Sequence, residues 1–212
     1  MGQAEGARPK GSNPYVCSCA SLRRGFVWCV ARKLRIEFPG ACYHVINRGN
    51  YRADIFSTAT TKDSFLNCLW QAADKANWRL HAYVLMRSHY HLALETPDGN
   101  LVEGMRWLQS TFANRFNRLR DESGHVFQGR YRAILLEGFA AVGAVAHYLH
   151  LNPVRARILA ASEVGKYPHS SLAWLDRPRQ RPARLSLSAA LQAAGGLTAG
   201  PGVMPRPRAP GR

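Results

Sequence analysis

The sequence of 212 residues predicts an α+β fold: a ferredoxin-like antiparallel sheet with helices packed on one face, plus an additional C-terminal helix. Three observations predict it. The apolar period switches between two and about 3.6 along the middle of the chain. The resulting order is strand, helix, strand, strand, helix, strand, helix. Turn and cap residues stand at the joints between these segments.

Ala41 to Asn47 reads as the first strand, ended by Arg48-Gly49-Asn50. Thr61 to Ala76 has helical spacing through Phe65, Leu66, Leu69 and Ala72, with Thr61 as the cap before Asp63. Leu80 to Met86 is apolar enough for a central strand, and after Arg87-Ser88 a second strand runs from His89 to Thr96. Pro97-Asp98-Gly99 stops it. Leu101, Met105, Leu108, Phe112, Phe116 and Leu119 step by three or four, which makes residues 100–120 an amphipathic helix. Ser123-Gly124 breaks that helix, Val126 to Leu136 returns to strand, and a last helix covers about 139–151 before Asn152-Pro153.

Outside this core the composition changes. Residues 1–35 read as a basic, partly disordered extension and 177–212 as a disordered tail holding six prolines, which leaves 36–176 as the domain. Within the tail, 184–193 has the composition of a short helix at most. The net charge of +16 belongs mainly to these ends, each with seven Lys/Arg, against Glu5 alone as acid. The body keeps 15 basic and 12 acidic residues. Its charge is uneven, because 106–157 holds eight Arg against Asp121, Glu122 and Glu137, a half compatible with a phosphate track or with a merely solvated surface.

Several function classes fall away. No run approaches the roughly 18–20 apolar residues of a membrane helix, and neither a signal peptide nor a myristoylation signal is legible at the start. The expectation is a cytoplasmic protein with no membrane partner. The five cysteines are odd in number, and Cys17-x-Cys19 lacks the gap of a zinc knuckle, which favours reduced thiols. A zinc deaminase would need His-x-Glu with Cys-x-x-Cys, and neither occurs.

Two constellations remain. In His89-Tyr90-His91 strand alternation puts both imidazoles on one face and Tyr90 with Leu92 and Leu94 on the other, so two nitrogen ligands stand side by side. By itself, His-x-His is also an ordinary strand pattern. Tyr148 and Asn152 are four apart, hence on one helix face, where they offer a nucleophile and a metal-binding oxygen. The plainer reading is a core tyrosine before a helix-ending Asn-Pro. Ala144, Val145, Leu149 and Leu151 can do the packing instead of Tyr148. His147 and His150 turn away from the Tyr148/Asn152 face, and Glu95 lies about 13 Å along the strand from His91.

In order along the chain, Pro39 to Gly49, Ala82 to Pro97, Gly124 to Tyr131, Tyr148 to Val154 and Tyr167 to Ser171 resemble the single-tyrosine transposases of the HUH endonuclease superfamily. The likeness is strongest to the REP-associated branch and covers about 36–175. It implies a divalent ion, Mg²⁺ or Mn²⁺, and a covalent 5′-phosphotyrosine intermediate on single-stranded or hairpin DNA at repetitive palindromes. It also implies no small-molecule substrate, and nucleoid association when the protein is on DNA. The family's metal histidines fall on His89 and His91, its nucleophile on Tyr148 and a third ligand on Asn152. The sequence departs at Ser88, where Asn is commoner, and at His169 and Leu172, which replace aromatic residues. Asn47, Arg48, Arg52, Arg115, Arg118, Arg130 and Arg132 are the candidate DNA contacts. Tyr131 serves either as a surface for an unpaired base or as core. A non-catalytic, domesticated DNA-binding protein of the same fold is the alternative function, and both monomer and homodimer occur among such relatives.

Overall fold

The structure is a computed structural model, and residues 35–195 are described. The compact unit that carries the sheet begins at Glu37. The expected extension over 1–34 and the tail beyond 195 lie outside the described residues. Four strands, β1 (Ala41–Arg48), β2 (Arg79–Leu85), β3 (His89–Thr96) and β4 (Arg132–Leu136), form one antiparallel sheet in the order β2-β3-β1-β4. That is the ferredoxin-like order, and no described helix is long and apolar enough to cross a membrane.

One face packs on α1 (Ala59–Lys75) and α2 (Leu101–Arg120). Phe65 of α1 and Phe112 of α2 meet Tyr90 of β3 and Phe56, with the Phe65 and Tyr90 ring centroids 4.7 Å apart. Tyr90, Leu92 and Leu94 all point into this core, so β3 must aim His89, His91, Ala93 and Glu95 at the opposite face. There α3 (Gly138–Arg155) crosses β1, β2 and β3.

The chain differs from its sequence expectations at four places. Thr58, not Thr61, caps α1, its hydroxyl accepting the Thr61 N–H at 3.2 Å. Of the strand expected from Val126, only Arg132–Leu136 is regular. Before it the backbone ties to the end of β1, Gln128 N–H to Arg48 O and Asn50 N–H to Val126 O at 2.9 Å each. Third, α3 continues through Pro153 to Arg155, because a proline so near the end forfeits a single ladder bond and its ring is buried. The face that α3 buries holds Val142, Ala146, Leu149 and His150, whereas Ala144 and Leu151 are exposed.

The fourth difference lies in residues 177–195, which pack. Arg184 and Ser186 flank Leu80 through hydrogen bonds of 2.8 Å, and Leu185 and Leu187 are buried. The short helix α4 (Ser188–Ala193) lies so close to α3 that a Cβ on Gly143 would stand 2.6 Å from the Ala193 Cβ. Composition hid this because four well-placed apolar side chains suffice when β2 offers a free edge.

Candidate active site

The geometry starts from register. Antiparallel pairing sets His91 opposite Ile46 and Ala93 opposite His44, so His44 and His91 are diagonal neighbours on the α3 face. His44 Nε2 and His91 Nδ1 are 3.0 Å apart and both rings are buried. Burial, followed by the nearby Arg132, lowers the His44 pKa to about 4. Burial, followed by His89 and His44, lowers that of His91 to about 3. His89 is shifted the same way by burial and Arg48. All three imidazoles are therefore neutral at pH 7.

A neutral pair sharing one hydrogen bond has two tautomers. If His91 donates through Nδ1, its Nε2 keeps a lone pair; if His44 donates, His91 Nε2 carries the proton. Only the first lets His91 ligate a cation. Just before β3, Ser88 Oγ lies 3.3 Å from His89 Nδ1, which leaves His89 Nε2 as that ring's ligand atom. The departure at Ser88 thus occurs in a side chain that touches a candidate ligand.

Above these rings α3 presents Tyr148 and Asn152, one turn apart as their spacing requires. The Tyr148 ring stands edge-on to His44 and His91, with centroids 6.1 and 6.0 Å away, and remains 39% exposed. Arg155 lies over its other side, 5.2 Å from the centroid. Asn152 Nδ2 donates to the Tyr148 carbonyl at 2.9 Å, so Oδ1 is the atom left for a cation. Two neutral imidazole nitrogens with one amide oxygen fit a divalent ion that keeps waters in its remaining positions.

The helix is held in this place from the far side. His150 is buried, with Nε2 2.8 Å from Ser171 Oγ, and Ser171 Oγ also accepts the Tyr83 N–H at 3.0 Å. Tyr167 donates its hydroxyl to Leu85 O at 2.7 Å. The Tyr167–Ser171 segment thus fastens the back of α3 to β2, and His150 acts as an anchor. His150→Ala is expected to lower cleavage and stability together, the latter by about 1–3 kcal/mol, since a buried side chain is truncated and the Ser171 hydroxyl keeps only its bonds to the Tyr83 backbone. Thermal unfolding beside a cleavage assay checks this.

Burial, helped by His147, lowers the His150 pKa to about 4 from an ordinary 6.5. The unfolded chain therefore takes up this proton first as pH falls. Stability is complete above about pH 6.5 and is lost progressively down to about pH 4. A shift of this size corresponds to roughly 3 kcal/mol for one such group, and buried His44 adds in the same direction. Denaturant titrations of metal-free protein from pH 7 to 4 should show this decline, with a shallower slope in His150→Gln.

Tyr148, Asn152, His89 and His91 line a cavity of about 460 Å³ together with Asn47, Arg48, Gln128, Arg130 and Arg132. Arg48 Nε is buried there with no hydrogen-bond partner among the described residues, and Arg130 and Arg132 are exposed at the rim. Asn47 has a local task, its Oδ1 accepting the Arg48 N–H at 2.8 Å. The other three candidate arginines are not in this cavity. Arg115 bonds Gln71 and Cys68 across α1 and α2, Arg118 is exposed on α2, and Arg52 sits in the turn after β1 with φ of 62°. Tyr131 is buried, which decides for core. His44 and Arg155 are the residues that sequence reasoning missed. His44 lay inside a quoted motif, but only strand register shows that it touches His91.

Residues 38–152 match the family model described as "Transposase IS200 like". A comparison with curated proteins finds no match. Among solved structures, the chain is similar to a REP-associated tyrosine transposase bound to a REP hairpin. The two are 15% identical with a TM-score of 0.58, over 74% of this chain and 91% of that one. It is also similar to a putative transposase from Deinococcus radiodurans, at 19% identity and TM-score 0.40, over 60% of this chain and 92% of that one. The first of these likenesses agrees with the ferredoxin-like architecture with its extra helix.

Proposed function

The chain belongs to the IS200-like transposase family, and from that membership we propose that it cleaves and rejoins single-stranded DNA at palindromic hairpins through Tyr148. The observation that carries the proposal is the convergence of Tyr148, His89, His91 and Asn152 on one cavity, from strands and a helix remote in sequence. The solved relative bound to a REP hairpin supports hairpin DNA as the substrate class.

In the proposed reaction the Tyr148 hydroxyl gives up its proton and its oxygen attacks a backbone phosphorus. The bond from phosphorus to the 3′-oxygen breaks, that oxygen gains a proton, and a 5′-phosphotyrosine ester forms. Because the ester keeps the bond energy, another 3′-hydroxyl can reverse the step and join a new strand. His89, His91 and Asn152 Oδ1 would hold Mg²⁺ or Mn²⁺, whose chemistry is to polarise and neutralise the non-bridging oxygens. His44 fixes the His91 tautomer. Arg48, Arg130 and Arg132 hold the phosphates that flank the scissile one.

Incubating the full chain with labelled hairpin DNA and Mg²⁺ should give a denaturation-resistant adduct. Binding without any adduct would establish the non-catalytic alternative. His44→Ala is expected to weaken metal binding by about 10–100-fold, the usual cost of losing the partner that orients a ligating imidazole. Titration calorimetry with Mn²⁺ measures it, and an unchanged affinity would remove His44 from the site.

A further inference from the structure

The α3 face of the sheet carries a second cluster, at the opposite end of β1 and β3 from the catalytic histidines. Cys42 and Glu95 are directly opposed across β1 and β3. On β2 the register jumps between Leu80 and Ala82, so His81 is the extra residue of a bulge. The bulge reverses the alternation: Leu80, Tyr83 and Leu85 enter the α1/α2 core, while Ala82 and Val84 pack towards α3. His81 is thereby brought beside Glu95, a re-aiming typical of bulges. One ligand atom from each of Cys42, His81 and Glu95 lies within 4.8 Å of the others.

His81 is only 4% exposed, and neither ring nitrogen has a hydrogen-bond partner among the described residues. Its Nε2 is 3.4 Å from Glu95 Oε2, close but unaligned. A buried imidazole with neither nitrogen in an aligned hydrogen bond costs free energy unless something else fills the role. Next to it is open space, a cavity of about 600 Å³ lined by all three residues and by Glu137. Arg79 donates to both Glu95 oxygens at 3.0 and 2.8 Å, but its side chain is more than half exposed and can release the carboxylate to another cation.

We propose that Cys42, His81 and Glu95 form a second metal site, separate from the catalytic one and selective for a borderline-soft divalent ion of the zinc class. The donor set argues for that class. Thiolate, imidazole and carboxylate together suit Zn²⁺, and the thiolate is what sets this cluster apart from the donors beneath Tyr148, which include no sulfur. Burial, followed by Glu95, raises the Cys42 pKa, so the thiol is protonated at rest and the cluster is not a primed cysteine nucleophile. On binding, the thiol proton passes to solvent and sulfur becomes a ligand. The ion would tie β1, β2 and β3 together beside the start of α3.

The test uses full-length protein stripped by chelation and titrated with Co²⁺ and then Zn²⁺. One equivalent of Co²⁺ should produce a near-ultraviolet thiolate-to-cobalt band that Zn²⁺ abolishes. Cys42→Ser should remove the band, and Glu95→Gln should weaken Co²⁺ by more than the roughly 10–100-fold lost with outer-shell partners. The double change of His89 and His91 to Ala should keep the band, which separates this site from the catalytic reading. No thiolate band in the unaltered protein, or a band that survives in a folded Cys42→Ser protein, overturns the proposal. Circular dichroism establishes folding, and Glu95→Gln provides the independent variant.

Discussion

Tyr148→Phe is expected to abolish the covalent protein–DNA adduct and to lower strand cleavage by roughly 10⁴-fold or more, the scale on which enzymes lose rate when their nucleophile is removed. The substitution deletes one oxygen from a ring that is 39% exposed and leaves its edge contacts with His44 and His91 in place. Stability should therefore stay within about 0.5 kcal/mol, as for most surface changes. Hairpin binding should change less than about twofold, because in the proposed complex the charges of Arg48, Arg130 and Arg132, and not the Tyr148 hydroxyl, supply the attraction. The three readings separate the causes. Adduct gels report the nucleophile, thermal unfolding the fold, and a binding isotherm at fixed salt the interface. An undiminished adduct in Tyr148→Phe would end the assignment, whereas parallel loss of binding and adduct would move Tyr148 from chemistry to recognition.

The second large effect is expected at the proposed metal ligands, His89 and His91. His89→Ala and His91→Ala should each lower cleavage by about 10³-fold or more, corresponding to several kcal/mol of lost charge neutralisation at the phosphate. Chelation of the unaltered protein should do the same and be reversed by Mg²⁺ or Mn²⁺. The two histidines should differ in what else they cost. His91 is 6% exposed and bonded to His44, so His91→Ala leaves a cavity and an orphaned ring and should lower the melting temperature. The His89 ring is half-buried and its one side-chain hydrogen bond among the described residues is to Ser88 Oγ, so His89→Ala should leave stability nearly unchanged. Asn152→Ala removes one neutral oxygen donor and should cost less than either histidine. Metal titration alongside cleavage tests the order, and activity retained in His89→Ala would exclude His89 as a ligand.

How much of the site was legible in sequence follows from the range of each interaction. The side-chain period of a strand is two, so His89 and His91 had to share a face. The period of a helix is 3.6, so Tyr148 and Asn152 had to share another. Both relations survive because they depend only on backbone geometry within one element. Chain order and spacing also pointed to the four antiparallel strands. Where the reading missed, the exact start of an element or a partner distant in sequence decided. Thr58 and Thr61 are equivalent caps by type, and only the actual start of α1 chooses between them. The stretch after Val126 has strand composition, yet its backbone bonds go to the turn after β1 before the ladder begins at Arg132.

The same division applies to the basic residues. Arg115 and Arg132 look alike in sequence; one ties α1 to α2 and the other lines the cavity beneath Tyr148. Nothing local separates them, because a long charged side chain takes its role from whatever lies at its tip. His150 likewise carries no mark of an anchor until Ser171, brought up beside β2, stands against it. The sequence by itself determined the order of strands and helices and the two pairs, His89 with His91 and Tyr148 with Asn152. Tertiary structure alone decided that the pairs meet, that His44 backs His91, that residues 177–195 close the fold, and that a bulge delivers His81 to Cys42 and Glu95. Periodicity acts over a few residues, whereas register and packing join residues more than 40 apart, as the His44–His91 contact does, with no trace in either local pattern.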